Sequence, residues 1–159
     1  MRIDNSKVKN TIVSIYFILI VSAVSFLAVF KTFTNENSNL LLISIAIIIT
    51  FAALFFIVHY ISKYFEYDSD GVKVVVRNKG LLLSDKINYR ENILEFDKKN
   101  FSAYKFKNYF FYKTLTFYIK DRKGKTKKHT FNVTLVTKKK RRYIKQSLNK
   151  MIKMNRKSE

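Results

Sequence analysis

Five consecutive cations, Lys138-Lys139-Lys140-Arg141-Arg142, form the densest cluster of chemistry-bearing side chains in the chain. They run into a segment whose apolar residues Ile144, Leu148, Met151 and Ile152 recur at helical spacing, with Thr137 placed as N-cap. Cations at a helix N-terminus face the positive end of the macrodipole, which costs roughly a few tenths of a kcal/mol each. Anion binding is the chemistry that would offset this cost. Beside a membrane each cation gains about 1 kcal/mol from anionic headgroups, up to ~5 kcal/mol if all five touch. Lys123, Lys125, Lys127 and Lys128 on the preceding segment extend the candidate surface. A Lys-biased composition decorating a solvated face explains the same run equally well, and the residues leave both readings open.

The other candidates are weaker. Tyr104-Lys105-Phe106-Lys107-Asn108-Tyr109-Phe110-Phe111-Tyr112-Lys113 interleaves cations and rings, as a base-stacking platform for nucleic acid would. The simpler reading puts alternate rings in a core and alternate lysines in water, and Tyr and Phe also suit the headgroup level of a bilayer. Asp68-Ser69-Asp70-Gly71 starts like a calcium loop but lacks the later acidic ligands, so it reads as a turn. Glu91, Glu95 and Asp97 sit amid Lys and Arg and read as ion-pair partners rather than an acid–base pair. His59 falls near the end of an apolar run, and His129 is alone in a strand-like segment. With no Cys and three Gly, thiolate chemistry and most glycine-rich phosphate loops are excluded. No catalytic residue, metal ligand or cofactor site is expected, and the chain reads as a non-enzyme.

These residues hang on a segregated chain. Of 31 Lys+Arg and 11 Asp+Glu, 27 and 9 lie after residue 62, whereas residues 12–30 and 40–61 contain no charge. Nineteen helical residues span about 28 Å, close to the ~30 Å hydrocarbon thickness, and the second run is longer. Both lack a polar stripe, so two transmembrane helices are expected. The first begins after a basic segment and passes Val21-Ser22-Ala23, as a signal peptide would, but apolar sequence continues for seven more residues, Val24 to Phe30, interrupted only by Ser25, which favours a retained span. Arg2, Lys7 and Lys9 precede the first span, the connection carries Lys31 against Glu36, and Lys63 opens the basic remainder. Positive-inside bias then puts both termini in the cytoplasm.

After residue 63 the texture is short and β-rich. Residues 72–77 read as a strand opened by the Asp70-Gly71 turn, and Asn78-Lys79-Gly80 reads as a hairpin leading to a strand over 81–84. Residues 93–96 and 101–106 are shorter candidates. Residues 114–120 and 127–136 form the clearest pair, with Leu115, Phe117 and Ile119 on one face of the first and Phe131, Val133 and Leu135 on one face of the second. The closing amphipathic helix is expected over 138–154.

This order resembles the bacterial pleckstrin-homology-like (PH-like) membrane proteins, on the strand count, the Asp70-Gly71 turn, the Asn78-Lys79-Gly80 hairpin and the closing helix. The resemblance implies a membrane α-helical hairpin plus an α+β PH-like domain: a bent antiparallel β-sandwich or barrel of six or seven strands capped by a C-terminal amphipathic helix. In phosphoinositide-binding PH domains the first hairpin carries a basic cluster, and Lys73, Arg77 and Lys79 occupy the matching place. The Trp typical of the eukaryotic closing helix is absent. The expected organisation is a cytoplasmic segment 1–11, spans 12–30 and 40–62, an external loop 31–39, and a cytoplasmic basic domain 63–159 in a bacterial inner membrane. The expected ligand is an anionic phospholipid headgroup or a membrane-protein partner, contacted through Lys138, Lys139, Lys140, Arg141, Arg142, Lys127, Lys128, Lys73, Arg77 and Lys79. The alternatives are an immunity-like or assembly subunit acting through its hairpin, and a membrane-tethered nucleic-acid binder.

Overall fold

A computed structural model describes residues 1–33, 40–81, 91–121 and 124–158. The chain divides into two compact units, Lys9–Tyr60 and the combination of Met1–Val8 with Ile61–Glu159. The first unit holds two helices, α1 (Lys9–Phe33) and α2 (Leu40–Ile61). Each is long and apolar enough to cross a membrane. Large side chains such as Phe17, Phe26, Leu41 and Phe56 stand exposed along them, so their apolar surface is not confined to one buried face. Tyr16 packs on Phe55 and Phe26 on Phe51, so the helices run antiparallel.

The second unit is built from two antiparallel sheets. The first has the order β1 (Arg2–Asp4), β2 (Lys63–Asp68), β3 (Lys73–Gly80), β4 (Asn92–Asp97). The second is β5 (Phe101–Asn108), β6 (Lys113–Lys120), β7 (Thr126–Asn132). Helix α3 (Lys138–Ser158) closes the chain, four residues beyond the expected end. Phe65, Tyr67, Val74, Val76, Phe96, Phe101, Leu115, Phe117 and Phe131 fill the space between the sheets, and Ile144, Leu148 and Met151 of α3 complete the core. Phe117 and Phe131 meet edge-on at 5.6 Å, the geometry that ring quadrupoles favour.

Among the described strands the sheets do not close into a barrel. At one end the two sheets meet through side-chain amides, with Asn78 of β3 and Asn92 of β4 both reaching the edge strand β7. Asn78 Nδ2 donates to Tyr64 O (2.7 Å) and Asn132 O (3.1 Å), Asn132 N–H donates to Asn78 Oδ1 (3.2 Å), and Asn92 Nδ2 reaches Thr130 O (3.4 Å). At the other end the edges diverge around a cleft of about 420 Å³ lined by Lys73, Glu95, Ile119, Lys127 and His129.

Residues 2–4, to which the sequence assigns no element, form β1 and pair with β2, Ile3 opposite Tyr67. Two sequence expectations are corrected. Asn78-Lys79-Gly80 is not a hairpin turn but the end of β3, held by Lys63, Tyr64 and Phe65 of β2 on one side, while Asn78 also faces Asn92 of β4. Residues 82–84 of the strand expected to follow lie outside the described residues, as do 34–39 of the expected external loop. The last strand stops at Asn132 rather than continuing to residue 136. Asn132 Oδ1 accepts from Thr134 N–H (2.9 Å) and Thr134 Oγ1 (2.6 Å), and this local turn diverts Leu135 and buries Val136 instead.

Candidate functional site

Helix α3 begins where the sequence capping signal places it. Thr137 O accepts from Arg141 N–H (2.9 Å) and Thr137 Oγ1 from Lys140 N–H (3.4 Å). Lys138, Arg141, Arg142 and Lys145 stand at i, i+3, i+4 and i+7, so one helix face carries all four. They line a cleft of about 400 Å³ whose other wall is Phe106, Lys107, Asn108 and Lys113 of the β5–β6 hairpin. The lining thus holds six cations and no carboxylate. Among the described residues, none of these six is in an ion pair. Concentrating like charge without a counter-ion raises the free energy of the empty cleft and lowers that of an anion inside it. Lys and Arg together offer both compact ammonium charge and planar two-pronged donors, which suits phosphate oxygens.

The remaining candidate residues are placed elsewhere. Lys140 Nζ donates to the backbone carbonyl of Asp4 and so ties α3 to β1. Hydrogen bonds from the Ser6 hydroxyl and N–H hold the Asp4 carboxyl below the ordinary carboxylate range, and the Lys140 charge adds to the effect. Lys139 is exposed outside the cleft lining. Lys73 pairs with Glu95 at 2.8 Å and depresses the Glu95 carboxyl. Lys79 pairs with Glu91 at 3.5 Å and lies 5.6 Å above the Tyr64 ring. Arg77 is exposed on β3 between them. Six residues along a strand is about 20 Å, so Lys73 and Lys79 do not share one ligand. Lys127 pairs with Asp121 at 2.8 Å, and Lys128 is exposed on β7 opposite Tyr118.

Reasoning from the sequence missed Lys145, and placed Lys107 and Lys113 in a separate ring-and-cation stretch rather than with the 138–142 run. The signal for Lys145 was present, because it completes the face begun by Lys138, Arg141 and Arg142. Lys107 and Lys113 join only through the hairpin, in which Asn108 pairs with Lys113.

The register also fixes which end of the β unit carries the cleft. The chain passes between units at Val8 and Ile61. From there Lys63 pairs with Gly80 and Phe65 with Asn78. Asn78 bonds Asn132, which pairs with Thr114 beside Lys113. Asp4, just before the other crossing, holds Lys140 of α3. The cleft, the start of α3 and both chain crossings therefore share one end. The β2–β3 turn at residues 69–72 and the Asp121 turn share the other.

No group of three or more His, Asp or Glu that could hold a metal ion occurs among the described residues. Comparison with protein-family models, with curated proteins and with solved structures returns no match.

Proposed function

We propose that this chain is a two-pass protein of a bacterial inner membrane whose cytoplasmic β unit, PH-like in its two antiparallel sheets and terminal helix, binds anionic phospholipid headgroups. The observation that carries the reading is the cleft of six cations without a carboxylate, at the end of the β unit where the chain passes to two apolar helices. A domain tethered by short connections meets headgroups at high effective concentration, so even weak individual contacts suffice. The pairing of β1 with β2 supports a topology with both termini on one side, because strands before and after the helical pair belong to one sheet. The excess of cations in the β unit over the connection between the spans supports the cytoplasmic side.

The test uses the full chain in neutral maltoside micelles, since excising residues 64–159 would delete β1. Short-chain phosphatidylglycerol should raise the thermal midpoint of the β unit, short-chain phosphatidylcholine should not, and high salt should erase the difference. Equal shifts from the two lipids would sink the reading.

A further inference from the structure

Between β5 and β6 the chain turns through Tyr109-Phe110-Phe111-Tyr112. The Tyr109 N–H donates to Tyr112 O at 2.9 Å, and the two Tyr rings stack at 4.6 Å. Phe110 and Phe111 occupy the two central positions, packed edge-on at 4.7 Å. Two-residue hairpin turns favour Asn-Gly or Asp-Gly, whose positive φ matches strand twist. Here no described residue other than glycine has a positive φ, so Phe-Phe is kept against local preference. Phe110 is 93% exposed, Phe111 64% and Tyr109 43%. In water such a cluster is unfavourable, and contiguous exposed apolar groups mark a contact surface.

Three observations name the occupant. The tip directly continues the wall of the basic cleft, through Lys107, Asn108 and Lys113. It lies at the end of the β unit that carries both chain crossings. Its composition, two Phe flanked by two Tyr, is that of a membrane interface, with apolar rings inward and hydroxyls at headgroup level. We infer that the Tyr109–Tyr112 tip inserts into the acyl-chain boundary of the same membrane, Phe110 deepest, while the adjoining cations hold the headgroups above it. This inference rests on the lipid-facing reading above and assigns the hairpin a part that the cleft alone does not have.

The chain has no Trp, so Phe110→Trp introduces a single indole, excitable apart from the ten Tyr, at a highly exposed position. Val72→Trp, at a residue 85% exposed in the turn at the opposite end, is the reference. Both full-length variants are placed in lipid nanodiscs, with neutral phosphatidylcholine alone or with phosphatidylglycerol, and quenched by acrylamide or by brominated acyl chains. The Phe110→Trp variant should emit to the blue of the Val72→Trp variant, lose most of its emission to brominated lipid, and be quenched several-fold less by acrylamide. Equal acrylamide quenching of both variants overturns the inference. So does shielding from acrylamide without quenching by brominated lipid, which would mean a protein contact such as a second copy of the chain. If the thermal shift with phosphatidylglycerol persists while bromine does not quench the Phe110→Trp variant, the insertion fails and the headgroup reading stands. Bromine quenching that is indifferent to lipid charge supports insertion whatever becomes of the cleft.

Discussion

The side-chain amide of Asn5 is bonded into the backbone of β2 on both of its atoms: Oδ1 accepts from Phe65 N–H at 2.8 Å, and Nδ2 donates to Lys63 O at 3.0 Å. The Asn5 backbone N–H donates in turn to Phe65 O at 3.2 Å. Asn5 is 1% exposed, so these bonds have no water to replace them. It thereby extends the three-residue ladder of β1 by one position just before the chain leaves for α1.

Asn5→Ala should therefore destabilise the β unit by about 1–3 kcal/mol, the range for stranding a buried donor. Asn5→Asp should be worse, because a carboxylate oxygen would face the Lys63 carbonyl. Thermal unfolding of the full chain in micelles, with amide exchange at Phe65, checks both. An unchanged exchange rate in Asn5→Ala would show that the side chain is not what protects that amide.

Asn78 plays the corresponding part between the sheets, with its three bonds to Tyr64 and Asn132. Asn78→Ala should cost roughly 2 kcal/mol, and Asn78→Asp, which keeps one acceptor but loses the donor, should recover only a fraction of it. The midpoint of denaturant unfolding at unchanged slope is the measurement.

Replacing Lys138, Arg141, Arg142 or Lys145 singly by Gln should weaken phosphatidylglycerol binding about fivefold each, which corresponds to about 1 kcal/mol per cation near an anionic surface. Lys127→Gln and Lys73→Gln, whose cations already face Asp121 and Glu95, should leave it unchanged. Titration of the thermal midpoint with lipid separates the two sets. Uniform small losses across all six positions would indicate diffuse charge rather than a cleft.

The Tyr64 hydroxyl is pushed up to about 12 by burial and by the Glu66 carboxylate, whose Oε2 it meets at 3.3 Å. The folded state thus holds this proton more tightly than the unfolded chain, where a Tyr titrates near 10. Its contribution is complete below pH 10 and is lost as pH rises towards 12. Tyr64→Phe should flatten that alkaline limb of stability. Asp4 works in the opposite sense. Its lowered pKa gives stability above the ordinary carboxylate range that disappears in acid as Asp4 takes up its proton, and Ser6→Ala should shrink that loss. Near-ultraviolet circular dichroism of the Tyr rings against pH follows both limbs.

The cysteine-free chain allows a direct test of topology. Single Cys substitutions at Ser6 and Ser69 should both be shielded from an impermeant maleimide in intact cells, and one at Ser38 should react. Reaction at Ser6 but not Ser69 would separate β1 from the sheet.

The parts legible in the sequence were those with local causes. Two uncharged runs gave α1 and α2, because nothing but apolar surroundings suits such residues. Ile144, Leu148 and Met151 gave the buried stripe of α3, and Leu115, Phe117 and Ile119 the inward face of β6. What could not be read had distant causes. Arg2, Ile3 and Asp4 have no strand signature, and their pairing depends on residues that follow both helices. Asn78-Lys79-Gly80 carries a strong turn signal that flanking-strand pairing overrides. The run 138–142 was visible as charge, but its helical phase sends Lys140 to Asp4 while Arg141 and Arg142 face the cleft, so position within the turn decides each residue's part.

The ladder between β1 and β2 also constrains the order of biosynthesis. Ile3 and Tyr67 are partners although 64 positions separate them. Closing a flexible loop of that length costs about 4 kcal/mol, and a helical pair that brings its own ends together removes much of that entropy. Until the ribosome has delivered Tyr67, Ile3 has nowhere to go. A nascent chain whose second helix failed to return would leave the outer edge of β2 bare, the kind of feature that proteases and chaperones recognise. The edge of β2 is therefore covered last, only once both helices and the strand that follows them have been made.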